Sequence, residues 1–184
     1  MPELIDPTAR LRTSFLAAVA EFREDSDYPV PWFVTDVDPP ALTDATAFDA
    51  YITRLLGERD EAAPRRDGFV PMTTLWWGEG GQMLGRLAIR HRLTPALEQA
   101  GGHIGYDVRP SARRQGHATA MLAAALPIAA SLGITRALLT CDETNTASRR
   151  VIDTNGGRFV GTAGRKRLYR VPTCTTRSSV FLPE

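Results

Sequence analysis

The sequence predicts an α/β (α+β) fold built around one mixed sheet, and three observations carry that expectation. Hydrophobic spacing is helical near the N terminus and changes to a period of two from Val70 onward. A strand-like run at 103–108 breaks into a basic, glycine-containing turn and then into a long helical pattern. An apolar strand, a short helix and two further strands follow, so the element order implies one central crossover.

At 184 residues with 43% hydrophobic content the chain suits one globular domain. That domain is expected over 1–172, with a C-terminal tail at 173–184. The formal net charge is +1 with 23% charged residues, so no global field favours nucleic acid or a membrane surface. Lys166 is the only lysine, and any basic site must be local and arginine-based. Cys141 and Cys174 are too few for a disulfide framework or a zinc site; no metal is expected, and the thiols point to a reducing compartment. The opening Met-Pro-Glu-Leu-Ile-Asp has no leader pattern, and no stretch reaches the ~20 apolar residues of a membrane span, so the expectation is a cytoplasmic protein.

Leu4 and Ile5 read as a short first strand, and a helix from Asp6–Thr8 places Leu11, Phe15, Ala18, Val19 and Phe22 on one face. Residues 25–40 hold Pro29, Pro31, Pro39 and Pro40 around Tyr28, Trp32 and Phe33, a composition unsuited to a regular helix or central strand. Its aromatics either line a site or tuck into the core. A second helix over 43–56 turns Phe48, Ile52, Leu55 and Leu56 inward, and 57–68 is a polar loop. Residues 72–77 and 82–91 form a hairpin around Gly78-Glu79-Gly80-Gly81, with Trp76 and Trp77 on opposite faces. A short helical turn at 94–100 ends in Gly101-Gly102, and the 103–108 strand follows. The next helix is expected from Ser111 or Arg113 to Leu132, with Ala118, Met121, Leu122, Ala125, Ala129 and Leu132 inward and Pro127 bending it. Residues 135–141 are apolar enough for burial on both faces. A polar turn at 142–146, a helix at 147–154 and strands at 158–162 and 167–171 complete the domain.

Residues 103–118 form the centre of this pattern. A helix start leaves backbone N–H groups without partners at the positive end of the helix dipole, which suits an anionic phosphate. Gly116 removes a side chain from that position, and Arg113 and Arg114 can grip phosphate oxygens. A P-loop would need a Lys-Ser/Thr pair, and a dinucleotide turn would need three spaced glycines; neither is present.

Val108-Arg109-Pro110 followed by Arg113-Arg114-Gln115-Gly116-His117-Ala118 resembles the acetyl-coenzyme A signature of the GNAT superfamily of N-acetyltransferases, with Arg113, Gly116 and Ala118 on the motif positions. The Thr-Leu-Trp-Trp strand and the segment leading to Pro110 are similar to a bacterial branch of that family. The resemblance implies a central mixed sheet of six to seven strands, with two parallel strands splaying apart and about four flanking helices. It implies acetyl-CoA as co-substrate and direct acetyl transfer to a small-molecule or peptide amine by a monomer or homodimer. Tyr106, Asp107 and Val108 would pair with the pantetheine arm. Arg113, Arg114, Gln115, Gly116, His117, Ala118 and Thr119 would hold the pyrophosphate, with Asn145 and Ser148 reaching the arm from the other side. The alternative is a non-catalytic acyl-CoA-binding module.

The chemistry asks for few groups. An alkyl ammonium with a pKa near ~10 must lose a proton before it attacks a thioester, and the leaving thiolate benefits from an acid. The family's helix tyrosine falls on Ile152 here, so Tyr169 reads either as a substitute acid or as an ordinary sheet residue. Candidate bases are Glu143, His103, Asp107, His91 and Glu79, while Asp142 and Glu143 also suit helix capping. Period two puts His103, Gly105 and Asp107 on one strand face, and Ile104, Tyr106 and Val108 on the other. Cys141 reads as core.

Overall fold

The computed structural model describes residues 1–174, so most of the tail expected at 173–184 lies outside the described residues. The described residues hold seven strands and six α-helices in a mixed α/β order. β1 (Glu3–Ile5), β2 (Met72–Glu79), β3 (Gln82–Arg90) and β4 (Ile104–Val108) form one antiparallel sheet in that order. β5 (Arg136–Asp142), β6 (Arg158–Ala163) and β7 (Lys166–Pro172) form a second, ordered β5-β7-β6. The expected single sheet is therefore split between β4 and β5. At that seam the His103 N–H donates to the Leu138 carbonyl at 2.7 Å, and the Leu138 N–H donates to His103 Nδ1 at 2.9 Å. From this shared start both strands run towards one cleft, side by side without a ladder. Gly102 permits the contact, because a Cβ there would overlap the Leu138 carbonyl.

Each face of the first sheet has its own core. α1 (Arg12–Glu24), α2 (Trp32–Thr35) and α3 (Ala45–Gly57) cover one face, where Phe15, Phe22, Phe33, Phe48, Tyr51 and Trp76 pack together. Asp44 caps α3 by accepting from the Ala47 N–H at 2.9 Å. On the other face Trp77, Leu87, Ile89 and Ile104 meet Met121, Leu122, Ala125 and Ala129 of α5 (His117–Ser131). The Trp76-Trp77 pair thus fills both cores. The proline-rich 25–40 segment contains a one-turn helix, α2, because Pro31 stands just before it and needs no donor there.

α4 (Pro95–Gln99) is capped by Thr94, and α6 (Thr146–Thr154) by Asn145 rather than by Asp142 or Glu143. α5 starts at His117, later than the expected Ser111 or Arg113. Pro110–Ala112 forms a separate 3-10 turn, and positive φ at Arg114 (62°) and Gly116 (83°) delays the α-helix. Pro127 sits on the exposed side of α5, where the carbonyl it leaves without a donor can meet water. No helix among the described residues is long and apolar enough to cross a membrane.

Candidate active site

The 113–119 turn is built to present donors. Arg114 and Gly116 adopt left-handed φ on either side of Gln115, a conformation that turns successive N–H groups to one side. The backbone N–H groups of residues 114–119 donate to no backbone or side-chain acceptor among the described residues. Gly116 is required for its φ of +83°, and a Cβ there would meet nothing within 4 Å, so the mouth of the turn is open. Arg114 and Gln115 are exposed beside it.

Arg113 points elsewhere. Its guanidinium pairs with Asp25 at 2.7 Å, donates from Nε to the Val108 carbonyl at 3.3 Å, and lies over the Tyr28 ring at 4.7 Å. Arg109 pairs with Glu21 at 2.6 Å, and the Ser111 N–H donates to the same carboxylate at 3.0 Å. The turn is thereby tied to α1. His117 Nδ1 accepts from Trp77 Nε1 at 3.3 Å, joining the helix start to β2.

Beyond Val108 the strands part. Arg109 donates to the Leu84 carbonyl, so ladder alternation directs the backbone groups of Asp107 and Gly105 to β3 and those of Tyr106 and Val108 towards β5. Among the described residues no strand pairs with them on that side. A cleft of about 270 Å³ opens there, lined by Gly105, Tyr106 and Asp107 of β4, Thr140, Cys141 and Asp142 of β5, and Asn145 and Ser148 of α6. A larger hollow of about 370 Å³ lies between the 3-10 turn before α1, α1 and α3, away from the splay and without convergent acid–base groups.

The sequence-derived acid–base candidates do not converge. Accepting from Leu138, His103 serves the seam, and burial, with Arg170 and Arg90, brings its pKa down to about 4. Glu143 is exposed in the β5–α6 turn, 3.9 Å from Arg165. Tyr169 is buried on β7, its hydroxyl accepting from Arg167 Nε at 3.0 Å. His91 bonds to Thr73 at 2.8 Å. None of these four lines the cleft.

Asp107 does line it. Burial raises its carboxyl above the ordinary range, partly countered by Arg86, Arg113 and Arg90. On the opposite strand face, the Tyr106 hydroxyl lies 2.8 Å from Ser148 Oγ, and burial raises its pKa. Asn145 Oδ1 caps α6 by accepting from the Ser148 N–H at 2.9 Å, while its Nδ2 donates to nothing among the described residues. Burial raises the Cys141 thiol, which argues against a thiolate nucleophile.

Arg86 and Arg90, which also line the cleft, escaped the sequence reading. Their signal was there: two arginines an even step apart in an otherwise apolar strand, both on the face of Asp107. Trp32 of α2 lines the cleft as well, while its neighbour Phe33 is core, so the two fates considered for that loop's aromatics both occur.

A sequence model described as an acetyltransferase (GNAT) domain matches residues 10–158. Among solved structures, Mycobacterium smegmatis RimJ, in complex with a CoA disulfide, is 23% identical, with a TM-score of 0.63 over 92% of this chain and 80% of that one. RimL, a ribosomal L7/L12 α-N-protein acetyltransferase in complex with coenzyme A, is 19% identical with a TM-score of 0.62 over 93% of each chain. The microcin C7 self-immunity acetyltransferase MccE, with acetyl-CoA and AMP, is 12% identical with a TM-score of 0.61 over 92% of this chain and 91% of that one. No curated protein matches the chain.

Proposed function

The chain belongs to the GNAT acetyltransferase family, and from that premise we propose that acetyl-CoA lies along the β4–β5 splay and gives its acetyl group directly to an amine in the cleft. The observation that carries this reading is the continuity of two features. The open N–H turn at 114–119 ends one side of the same splay whose backbone groups at Tyr106 and Val108 lack strand partners among the described residues. A pyrophosphate fits the first and an amide-bearing arm the second. The protein is an acetyl-CoA-dependent N-acetyltransferase.

Acetyl-CoA supplies an acetyl thioester open to attack by an amine. The backbone N–H groups of residues 114–119 hold the pyrophosphate, with Arg114 adding charge from solvent and Arg113 acting through the backbone it anchors. Asn145 Nδ2 meets the arm from α6. Asp107 accepts the proton of the arriving ammonium, directly or through water, in place of His103 or Glu143. The N–H of Tyr106 or Val108 steadies the thioester oxygen. The Tyr106 hydroxyl, paired with Ser148, offers the departing thiolate a proton where Ile152 and Tyr169 cannot. One domain over 1–172 suffices for this reaction, and the free thiols Cys141 and Cys174 suit a cytoplasmic setting.

The test is calorimetry with CoA, together with thiol release from acetyl-CoA over a panel of small amines and peptide N termini. Wild-type protein should bind CoA and release thiol with at least one amine. Gly116→Glu places a carboxylate among the N–H donors and should abolish CoA binding while the protein still unfolds cooperatively. Wild-type affinity in that variant removes the cradle from the site. CoA binding without thiol release from any amine leaves an acyl-CoA-binding module instead.

A further inference from the structure

Arg86 is a buried cation with almost no partner. It is 3% exposed, on the β3 face that meets the N-terminal helices. The rings of Trp32 and Phe33 lie over its guanidinium at 4.7 and 5.1 Å. Among the described residues its single hydrogen bond runs from Nη2 to Thr74 Oγ1 at 3.4 Å, and it enters no ion pair. Burying a guanidinium this way is costly unless its donors are met. Buried as it is, Arg86 is one of the residues that line the cleft, and that cleft is the open space beside its guanidinium.

The surroundings leave room for a small anion. Asp107 is the direct cross-strand partner of Arg86, and Ala88 with Gly105 is the next pair on the same face. A Cβ on Gly105 would meet only Arg90 Nη1 at 3.9 Å. Arg90 is itself engaged with the Gly101 and Gly102 carbonyls, at 3.4 and 3.1 Å, which leaves Arg86 as the uncommitted fork. A planar guanidinium with free donors matches a carboxylate in forked geometry.

We propose that Arg86 is the specificity anchor of the acceptor site, and that the acceptor is a small amino acid-like molecule whose carboxylate sits on Arg86 while its amine meets Asp107. Cross-strand partners hold their Cβ atoms about 5 Å apart, so amine and carboxylate should be separated by only a few bonds. Trp32 closes over the anchor. This assignment rests on the acetyl-transfer reading above.

The experiment compares glycine, β-alanine and 4-aminobutyrate, each with its own amide, at saturating acetyl-CoA. At least one acid should exceed its amide in kcat/KM by about tenfold to a hundredfold, the range for a hydrogen-bonded charge. Arg86→Met should level the pairs, mainly through KM, with CoA affinity unchanged. Equal rates for acids and amides in the wild type, a preference that survives Arg86→Met, or better turnover of a peptide N terminus than of every acid overturns the assignment. Calorimetry of the same pairs on CoA-loaded wild-type protein reads the anchor without turnover or a variant. Acid binding above amide binding supports the anchor even if no acetyl group passes, and equal or absent binding overturns it.

Discussion

Burial raises the Asp107 carboxyl, and Arg86, Arg113 and Arg90 pull it back only in part. A carboxylate with a raised folded pKa contributes stability below its unfolded value, near ~3.9, and loses it as pH rises through the folded value. At neutral pH the native Asp107 therefore carries a penalty that an amide would not. Asp107→Asn should melt at or above the wild-type temperature at pH 7, with the difference fading towards pH 3.5. Its thiol release should fall about a hundredfold or more if Asp107 is the base. Calorimetric melts at the two pH values and the thiol assay check both statements, and a wild-type rate removes Asp107 from the proton transfer. The sequence placed His103 and Asp107 on one strand face and favoured His103 as the base on its ordinary pKa alone. Ranking needed β3 beside β4, which sets Arg86 opposite Asp107, and β5 beside residue 103, which engages the imidazole.

The turn before α5 owes its shape to α1. Arg113 reaches Asp25, 88 residues earlier in the chain, and Arg109 reaches Glu21. The hydrogen bond from Arg113 is the main cause that lowers the Asp25 carboxyl, with burial opposing it. Burial would raise Glu21, yet the hydrogen bonds from Arg109 and Ser111 hold it below its ordinary value. Both depressed carboxyls add stability above their unfolded pKa values and lose it as pH falls through the folded ones. Asp25→Asn should destabilise the protein by about 1–3 kcal/mol at pH 7, as loss of a partner to a charged group does. The gap to wild type should begin to shrink below about pH 4, where the carboxyl of the unfolded chain takes up its proton, and close as the pH falls through the depressed folded value. CoA affinity should drop several-fold at pH 7, because Arg113 no longer holds its loop; unchanged affinity would separate the α1 link from the cradle. The glycine-containing turn with its open N–H groups was legible from local sequence. The job of Arg113 was not, because its partner is distant in the chain.

Across the molecule, the two sheets meet at His103 and Leu138 and part beyond them. His103 is held neutral there, with its pKa moved from 6.5 to about 4, first by burial and then by Arg170 and Arg90. A depressed folded pKa means that stability is complete above 6.5 and falls as the pH drops towards 4. The melting temperature should decline through that window, and His103→Asn should flatten this part of the profile; an equally steep decline in the variant would place the titration elsewhere. The sequence by itself determined the α/β class, nearly every strand and helix, and the break between β4 and α5, because period, glycine placement and helix starts are local properties of the chain. It also marked two tryptophans for opposite faces. Only the tertiary structure divided the sheet in two, gave Arg113 to α1, and gathered Asp107, Arg86 and Tyr106 around one cleft. Those outcomes depend on which distant segments share a face, and on how far water is excluded between them, and neither is written in any one stretch of sequence.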